Sequence, residues 1–215
     1  MLDPVYILEG LWITVQIWLG AMILSLVLAV PVAMLRRSTN PVAKFIGALW
    51  AWIARGIPPI AWLIIIYFGL SLGIISEVPV LAAIVGLGIV NSAYLGDSIR
   101  AGLDSVPPGQ WEGAASVALS RRDTLFRVVL PQAVPVMLAS AAAYSITLLK
   151  NTAIASIIGA NEMVFYAYNA VQVGADPLLS FFTIGVVYLL LTVPIGIFAR
   201  WMDSRVRRGT MKVAH

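Results

Sequence analysis

The stretch LEGLWITVQIWLGAMILSLVLAVPVAML fills residues 8–35 and is followed at once by Arg36 and Arg37. It exceeds the roughly 20 mostly apolar residues that a helix needs to cross the hydrocarbon core of a bilayer. A cleaved secretion signal would have a basic leader and a short apolar core, but no lysine or arginine precedes this run. We therefore predict a retained spanning helix that begins outside the cell and ends at the arginine pair.

The whole chain has the composition of a membrane protein. Of its 215 residues, 60% are apolar and 11% are charged, whereas about 25% are charged in soluble domains. Five apolar segments are long enough to span, at about 8–35, 43–75, 79–101, 132–158 and 178–200. The regular strand-like alternation of a β-barrel is not evident. We predict one all-α integral membrane domain, residues 1–215, with five transmembrane helices.

The basic residues indicate how these spans are oriented. Twelve of the fourteen lie on one side, at Arg36, Arg37, Lys44, Arg100, Arg121, Arg122, Arg127, Arg200, Arg205, Arg207, Arg208 and Lys212. Acidic residues mark the opposite side, at Asp3, Glu9, Glu77, Glu162 and Asp176. By the positive-inside rule the basic side is cytoplasmic. The N-terminus is then outside and the C-terminus inside, as an odd number of spans requires.

Several kinds of chemistry are not expected from this sequence. Cysteine is absent and the single histidine, His215, is the last residue, so disulfides and the usual metal sites are not expected. No GxxxxGK[ST] phosphate-binding loop occurs, so the chain should not hydrolyse ATP by itself. Serine and aspartate occur without a base at a recognisable spacing. We predict no catalytic residue, no metal site and no nucleic-acid partner.

Residues 160–175 are too polar and too few to span the membrane. We expect them to form a helix on the outer surface, either as an interfacial connector with an aromatic anchor or as a contact for an external partner. The polar and aromatic residues on which this rests are Asn161, Glu162, Tyr166, Tyr168, Asn169 and Gln172.

The longest inside loop, about residues 102–131, contains two expected short helices. Pro107-Pro108-Gly109 breaks the chain, and a helix of mostly small side chains is expected over residues 110–119. Ser120 and Asp123 fit a capping box that begins a second helix, which continues through Leu130. Pro131 either closes that helix or opens the next span.

The two helices of this loop suit different surroundings. The second is amphipathic and can lie on the inner leaflet. The first is reduced to glycine, alanine and serine around Trp111 and Glu112, which a membrane surface does not require. Small side chains allow a helix to seat deeply in another protein, and Glu112 can accept a hydrogen bond from a basic residue. We therefore predict a protein-binding surface here.

These residues resemble a known family. Gln110-x-Glu112-Gly113-Ala114, Leu119-Ser120 and Phe126-x-Val128-x-Leu130-Pro131-Gln132-Ala133 are similar to the EAA loop of bacterial ABC-importer permeases. Arg55-Gly56-Ile57-Pro58, Ala93-Tyr94, Ile99-Arg100-Ala101-Gly102, Ser105-Val106 and Leu149-Lys150-Asn151-Thr152 are similar to the polar amino-acid uptake branch, the histidine, glutamine and arginine permeases. The resemblance covers about half of the chain and implies the architecture of a type I ABC importer permease.

The resemblance implies that the inside loop is the coupling loop on which ATPase subunits dock. The residues concerned are Gln110, Trp111, Glu112, Gly113, Ala114, Ala115, Ala118, Leu119, Ser120, Leu130 and Pro131. The sequence departs from the family pattern at Gly113, where a second alanine is usual, and at Ala118, where the turn glycine is usual. Ile57 replaces a threonine, and an acidic residue usually found just after Ala-Tyr is displaced to Asp97.

Arg55 and Lys150 lie within apolar spans, where an isolated basic side chain costs about 2.5–3.5 kcal/mol. Lys150 can extend to the outer interface or meet a substrate carboxylate. Arg55 precedes a predicted helix interruption at Gly56 to Pro59, and broken helices commonly line cavities. Alternatively, Arg55 pairs with a carboxylate such as Asp97 or with freed backbone carbonyls. The possible substrate pathway comprises Arg55, Pro58, Tyr94, Lys150, Asn151 and Thr152.

The resemblance further implies an ATP-driven importer of a small polar solute, most simply an amino acid, in the bacterial inner membrane. Expected partners are two ATP-binding subunits, a second permease subunit (identical or paralogous), a periplasmic or lipid-anchored solute-binding protein, and lipid. ATP and Mg would be bound by the ATPase subunits and not by this chain. The alternatives are import of an opine, ectoine or other small zwitterion, or an autonomous secondary transporter, against which five spans without a repeat argue.

Overall fold

The computed structural model describes residues 5–70 and 72–211, with side chains described for residues 6–70 and 72–204. The predictions that concern Asp3, Lys212 and His215 lie outside the described residues. All regular structure in the described part of the chain is helical: α1 Val5–Leu8, α2 Leu11–Arg37, α3 Pro41–Gly56, α4 Pro59–Ile64, α5 Ile74–Glu77, α6 Pro79–Asp104, α7 Pro108–Ser116, α8 Arg121–Asp123, α9 Leu130–Asn151, α10 Met163–Gln172 and α11 Pro177–Met211.

Three further turns depart from α geometry. Ile65–Gly69 and Thr124–Val129 are π-helical, and Thr152–Ile158 is a 3₁₀ helix. The π turn at Thr124–Val129 joins α8 to α9 without a break, so that Arg121–Ile158 is one helical column of 38 residues. The sequence suggested that Pro131 either closes the loop helix or opens the next span, and the structure places it in the first turn of α9, directly after the π turn and inside the continuous column. Pro131 therefore opens α9 and does not end the column.

Four helical stretches are long and apolar enough to cross a membrane: Tyr6–Arg37, Pro79–Asp104, Arg121–Ile158 and Pro177–Ser204. The second predicted span, 43–75, is interrupted in the structure. It consists of α3 and the segment Pro59–Gly69, which are bent by 95° relative to each other. The described chain therefore holds five spans only if this bent pair counts as one.

The bend has a local cause in the sequence. Ile57 and Pro58 are both extended, with φ −93° and ψ 127° for the first and φ −55° and ψ 142° for the second. Each precedes a proline, and the proline ring disfavours the helical region for the residue before it. Pro59 then starts α4, where its fixed φ suits the first helical turn. The interruption expected at Gly56 to Pro59 is confirmed.

The core lies where α2, α4, α6 and α9 meet. Ile17, Leu63, Leu87 and Leu148, one from each helix, are at most 2% exposed. Small residues bring the helices close together, as expected for membrane helix packing. A Cβ atom on Gly88 of α6 would lie 2.7 Å from Leu24 Cδ2 of α2.

The ends of the bundle differ in charge. Ion pairs of Arg36 with Asp97 and of Arg37 with Asp104 hold together the C-terminal ends of α2 and α6. The start of α9 packs closely against the same end, since a Cβ atom on Gly102 would lie 2.9 Å from the Ala133 carbonyl oxygen. We call this the arginine-rich end.

The opposite end of the bundle is closed by α10. The sequence suggested a surface helix here, and α10 packs on the bundle through Met163, Ala167 and Ala170 while Tyr168 remains 56% exposed. The Met163 N–H donates to Thr14 Oγ1 of α2 at 3.2 Å. The Tyr6 and Tyr166 rings meet edge to face, with centroids 5.1 Å apart.

Candidate functional site

A cavity of about 210 Å³ lies between α6, α9 and the bend after α3. Each long helix contributes residues spaced i, i+3, i+4 and i+7, which share one helical face. The α6 face is Leu87, Val90, Asn91 and Tyr94, the α9 face is Tyr144, Thr147, Leu148 and Asn151, and the bend adds Arg55, Ile57 and Pro59. The cavity therefore lies beside the point where α3 ends and the proline pair bends the chain by 95°.

The wall of this cavity combines apolar and polar groups. Leu87 and Leu148 are 1% and 2% exposed. Asn91 is buried, and its Nδ2 has no hydrogen-bond partner among the described residues. The rings of Tyr94 and Tyr144 pack against each other in the wall, with centroids 5.1 Å apart. An unsatisfied buried donor is costly, so Asn91 is suited to a group that enters the cavity.

Arg55 joins the cavity to a charged cluster. Its Nη1 lies 2.7 Å from Asp97 Oδ2, and its Cζ lies 5.6 Å from the centre of the Tyr94 ring. Asp97 also pairs with Arg36 and, at 3.5 Å, with Arg100. One carboxylate thus serves three guanidinium groups, so the cluster keeps a positive charge. Arg55 both pairs with Asp97 and lines the cavity, so the ion pair and the cavity position, given above as alternatives, occur at the same time.

The structure brings only some of the expected pathway residues to this cavity. Arg55, Tyr94 and Asn151 line it. Pro58 and Lys150 are exposed and lie outside its wall. Thr152 is fully buried elsewhere, where its hydroxyl donates to the Leu149 carbonyl oxygen at 2.7 Å.

Sequence reasoning missed Asn91, Tyr144 and Thr147. Their signal is present in the sequence, since Asn91 lies three residues before Tyr94, and Tyr144, Thr147 and Asn151 follow one another at spacings of three and four. Polar side chains that share one face of an apolar helix indicate a cavity or an interface.

The loop between α6 and α9 forms the second candidate surface, at the arginine-rich end. The predicted N-cap at Ser120 is confirmed, because the Asp123 N–H donates to Ser120 Oγ at 3.0 Å. In place of the backbone N–H bond of a full capping box, the Ser120 hydroxyl donates to Asp123 Oδ2 at 2.6 Å. Helix α7 ends in a left-handed turn at Ala118, whose φ is 54°. The Leu119 N–H bonds to the Ala114 carbonyl oxygen at 3.1 Å, which is the pattern of a Schellman cap. Ala118 adopts the conformation for which glycine is usual.

The loop has a small core of its own. Ala114 is 5% exposed, and Trp111 packs half-buried against Val106 and Val129. Leu130 is half-buried as well. The exposed residues of the predicted coupling surface are Gln110, Glu112, Gly113, Ala115, Ala118, Leu119, Ser120 and Pro131.

Two large apolar side chains are exposed in the same loop. Val117 is 69% exposed and Phe126 is 59% exposed. Sequence reasoning attended to the small residues around Glu112 and did not include these two. Exposed apolar side chains beside an exposed carboxylate are suited to a protein or lipid contact.

A buried carboxyl group lies at the other end of the bundle. Glu162 caps α10, and its Oε1 accepts a hydrogen bond from the Phe165 N–H at 2.9 Å. Its Oε2 accepts from the Tyr188 hydroxyl at 3.4 Å, and that hydroxyl lies 3.2 Å from Thr152 Oγ1. Glu162 has no exposed surface, and burial raises the pKa of its carboxyl from 4.5 to about 7.

Known proteins resemble this chain over most of its length. The family of binding-protein-dependent transport system inner membrane components matches residues 21–208. The probable amino-acid permease protein YxeN of Bacillus subtilis is 30% identical, over 87% of this chain and 85% of the relative. The probable glutamine ABC transporter permease protein GlnM of the same organism is 27% identical, over 94% of both chains. Among solved structures, a crystal structure of an amino acid ABC transporter with histidines has the same fold, with a TM-score of 0.83, 24% identity, and coverage of 95% of this chain and 99% of that one.

Proposed function

Because this chain belongs to the family of binding-protein-dependent transport system inner membrane components, we propose that it is the permease subunit of an ATP-driven importer of amino acids. It is a multi-pass protein of the bacterial inner membrane. The names of its relatives support an amino acid as the solute, since they include an amino-acid permease and a glutamine transporter permease. The cavity between α6 and α9 offers that solute a polar site inside the bundle.

The coupling loop is the surface on which ATP-binding subunits dock. The observation that carries this assignment is the exposure of Glu112 in a loop whose own core is already closed by Trp111 and Ala114. Val117 and Phe126 add apolar surface beside it. The complex contains two ATP-binding subunits, which bind ATP and Mg, whereas this chain binds neither.

A second permease subunit completes the translocation path. The cavity of a single bundle is open toward Thr147, which is exposed. Helix α11 presents large apolar residues, with Leu178 80% exposed and Leu190 65% exposed. Lipid and a second copy or paralogue cover such faces in a membrane. A solute-binding protein, periplasmic or lipid-anchored, delivers the solute to the end of the bundle at α10.

The arginine-rich end faces the cytoplasm. It carries Arg36, Arg37 and Arg100 close to the loop with Arg121 and Arg122, as the positive-inside rule requires. The N-terminus is outside and the C-terminus inside. ATP binding draws the two coupling loops together and switches the cavity between inward-facing and outward-facing states, which is a rigid-body transition.

The experiment is uptake of amino acids into proteoliposomes that hold the complete complex and ATP. Glu112→Lys removes an acceptor and inverts its charge, and loss of a charge-assisted hydrogen bond of about 1.5–3 kcal/mol should lower uptake roughly tenfold or more. Glu77→Lys makes the same charge change at an exposed site far from the loop and should leave uptake unchanged. Ala115→Trp tests whether a large side chain on the docking surface hinders the ATP-binding subunit. Ala115 is exposed, whereas Ala114 belongs to the core of the loop.

Two results would contradict the proposal. One is normal uptake by Glu112→Lys in a complex that still contains both kinds of subunit. The other is solute accumulation by vesicles that hold this chain without any ATPase.

A further inference from the structure

The cavity between α6 and α9 has an unbalanced set of charged and polar groups. Arg55 is the only charged side chain among the described residues that line it. Its partner Asp97 is shared with Arg36 and Arg100, so the positive charge of Arg55 is not fully compensated. A solute entering the cavity therefore meets a cation with no carboxylate on the wall beside it.

The donors of the cavity suit a carboxylate. The guanidinium of Arg55 and the unpartnered Nδ2 of Asn91 can both donate, and hydrogen bonds to ionised groups are the stronger kind. The Asn91 group lies one helical turn before Tyr94, over which Arg55 sits. The ring of Tyr144 and the amide oxygen of Asn151 on α9 remain for an ammonium group, which aromatic rings attract.

The rest of the wall and its size limit the side chain of the solute. Leu87 and Leu148 form fully buried apolar surface. The volume of about 210 Å³ is smaller than the roughly 300–1,000 Å³ of pockets for drug-sized ligands. The part of the site that this chain supplies therefore suits a small amino acid.

The geometry points to a site that selects small amino acids with an uncharged side chain and rejects those with a basic one. This inference rests on the proposed function and adds the solute class to it. A second positive charge in the solute would lie in a partly apolar cavity beside Arg55, with no carboxylate to balance it. Like charges repel strongly where water is excluded, so a basic solute should bind at least tenfold more weakly.

The test is equilibrium binding to the permease–ATPase complex in nanodiscs without the solute-binding protein, so that only the cavity selects. Radiolabelled serine is displaced by homoserine or by 2,4-diaminobutyrate, which have the same number of non-hydrogen atoms and differ in a hydroxyl against an ammonium group. Homoserine should compete at least tenfold better. Equal competition by the two compounds, or no serine binding at all, would overturn the inference.

A pair of variants at the mouth of the cavity isolates the contribution of charge. Thr147→Asp and Thr147→Asn have nearly the same shape and differ by one carboxylate, so the asparagine variant controls for the loss of threonine at this position of the cavity wall. The ratio of diaminobutyrate to homoserine dissociation constants should be several-fold smaller in the aspartate variant than in the asparagine variant. The same gap in both variants would refute the electrostatic account of selection.

The failure of this inference is distinguishable from failure of the proposed function. ATP-driven uptake by the intact complex with its solute-binding protein reports on the function alone. If uptake persists but basic and uncharged solutes compete equally at the cavity, the proposed importer function stands and the proposed selectivity is refuted. If the intact complex takes up no amino acid with ATP, both the proposed function and the proposed selectivity are refuted.

Discussion

Replacing Glu162 by glutamine should change how the stability of this protein depends on pH. The Glu162 carboxyl is fully buried, and its neighbours Phe165, Tyr188 and, through Tyr188, Thr152 supply hydrogen bonds but no charge. Burial disfavours the ionised form and raises the pKa of this carboxyl to about 7 from 4.5. Glutamine has nearly the same shape and is neutral at every pH.

The sign and size of the effect follow from proton linkage. Between pH 4.5 and about 7 the folded protein holds on Glu162 a proton that the unfolded chain has released. Stability therefore falls as pH rises through this window, and it is constant with respect to this group below and above it. The difference between the folded and unfolded pKa values of Glu162 corresponds to a loss of about 3 kcal/mol in the free energy of unfolding across this window.

The assay is unfolding of the native complex and the Glu162→Gln variant in nanodiscs, at pH values from 4 to 8. The variants should be equally stable near pH 4, and the glutamine variant should be more stable at pH 8, by an amount approaching about 3 kcal/mol. Glu77→Gln, at an exposed carboxylate, serves as the control and should leave the profile unchanged. The reasoning is refuted if Glu162→Gln retains the pH profile of the native protein or is the less stable of the two at pH 8.

Two further predictions concern backbone positions. Ala118→Gly should stabilise the protein by up to about 1 kcal/mol in unfolding measurements. The left-handed conformation costs a non-glycine residue about 1–2 kcal/mol, whereas glycine adds an entropy cost of about 0.5–1 kcal/mol. Lower stability of the variant would show that the turn at φ 54° is unstrained. Gly102→Ala should destabilise the protein by about 1–3 kcal/mol, since the new Cβ would contact Met137 and lie 2.9 Å from the Ala133 carbonyl oxygen. Gly113→Ala, whose Cβ would have nothing within 4 Å, should be neutral or stabilising by up to about 1 kcal/mol. Equal effects of the two substitutions would contradict the packing of α6 on α9.

Much of the helical architecture could be predicted from local sequence. Apolar length predicts the long helices, because a bilayer demands about 20 such residues. The bend after Gly56 follows from two adjacent prolines, and the Ser120 cap follows from the carboxylate three residues later. What local sequence could not show is that the loop helix and the fourth span are one column, because Pro131 is compatible with either a start or a stop.

The site was harder to predict because it depends on which faces meet. Asn151 and Thr152 are neighbours in sequence, but the helix tightens from α to 3₁₀ between them. Asn151 therefore faces the cavity, while Thr152 points to Tyr188. The polarity of residues 160–175 predicts an outer-surface helix that includes Glu162, whereas in the structure the buried Glu162 carboxyl group caps α10. Both misplacements come from tertiary packing that no single segment encodes.

The unbroken helical column Arg121–Ile158 connects the loop directly to the wall of the cavity. Asp123 near its beginning and Thr147 on the cavity wall are separated by about 36 Å at the rise of a helix. A tilt of about 5° about one end of a rod of that length displaces the other by about 3 Å, which is comparable to the width of a water molecule. Because the column is continuous, a tilt of the whole helix would move the loop that contacts it and the cavity wall around Asn151 together.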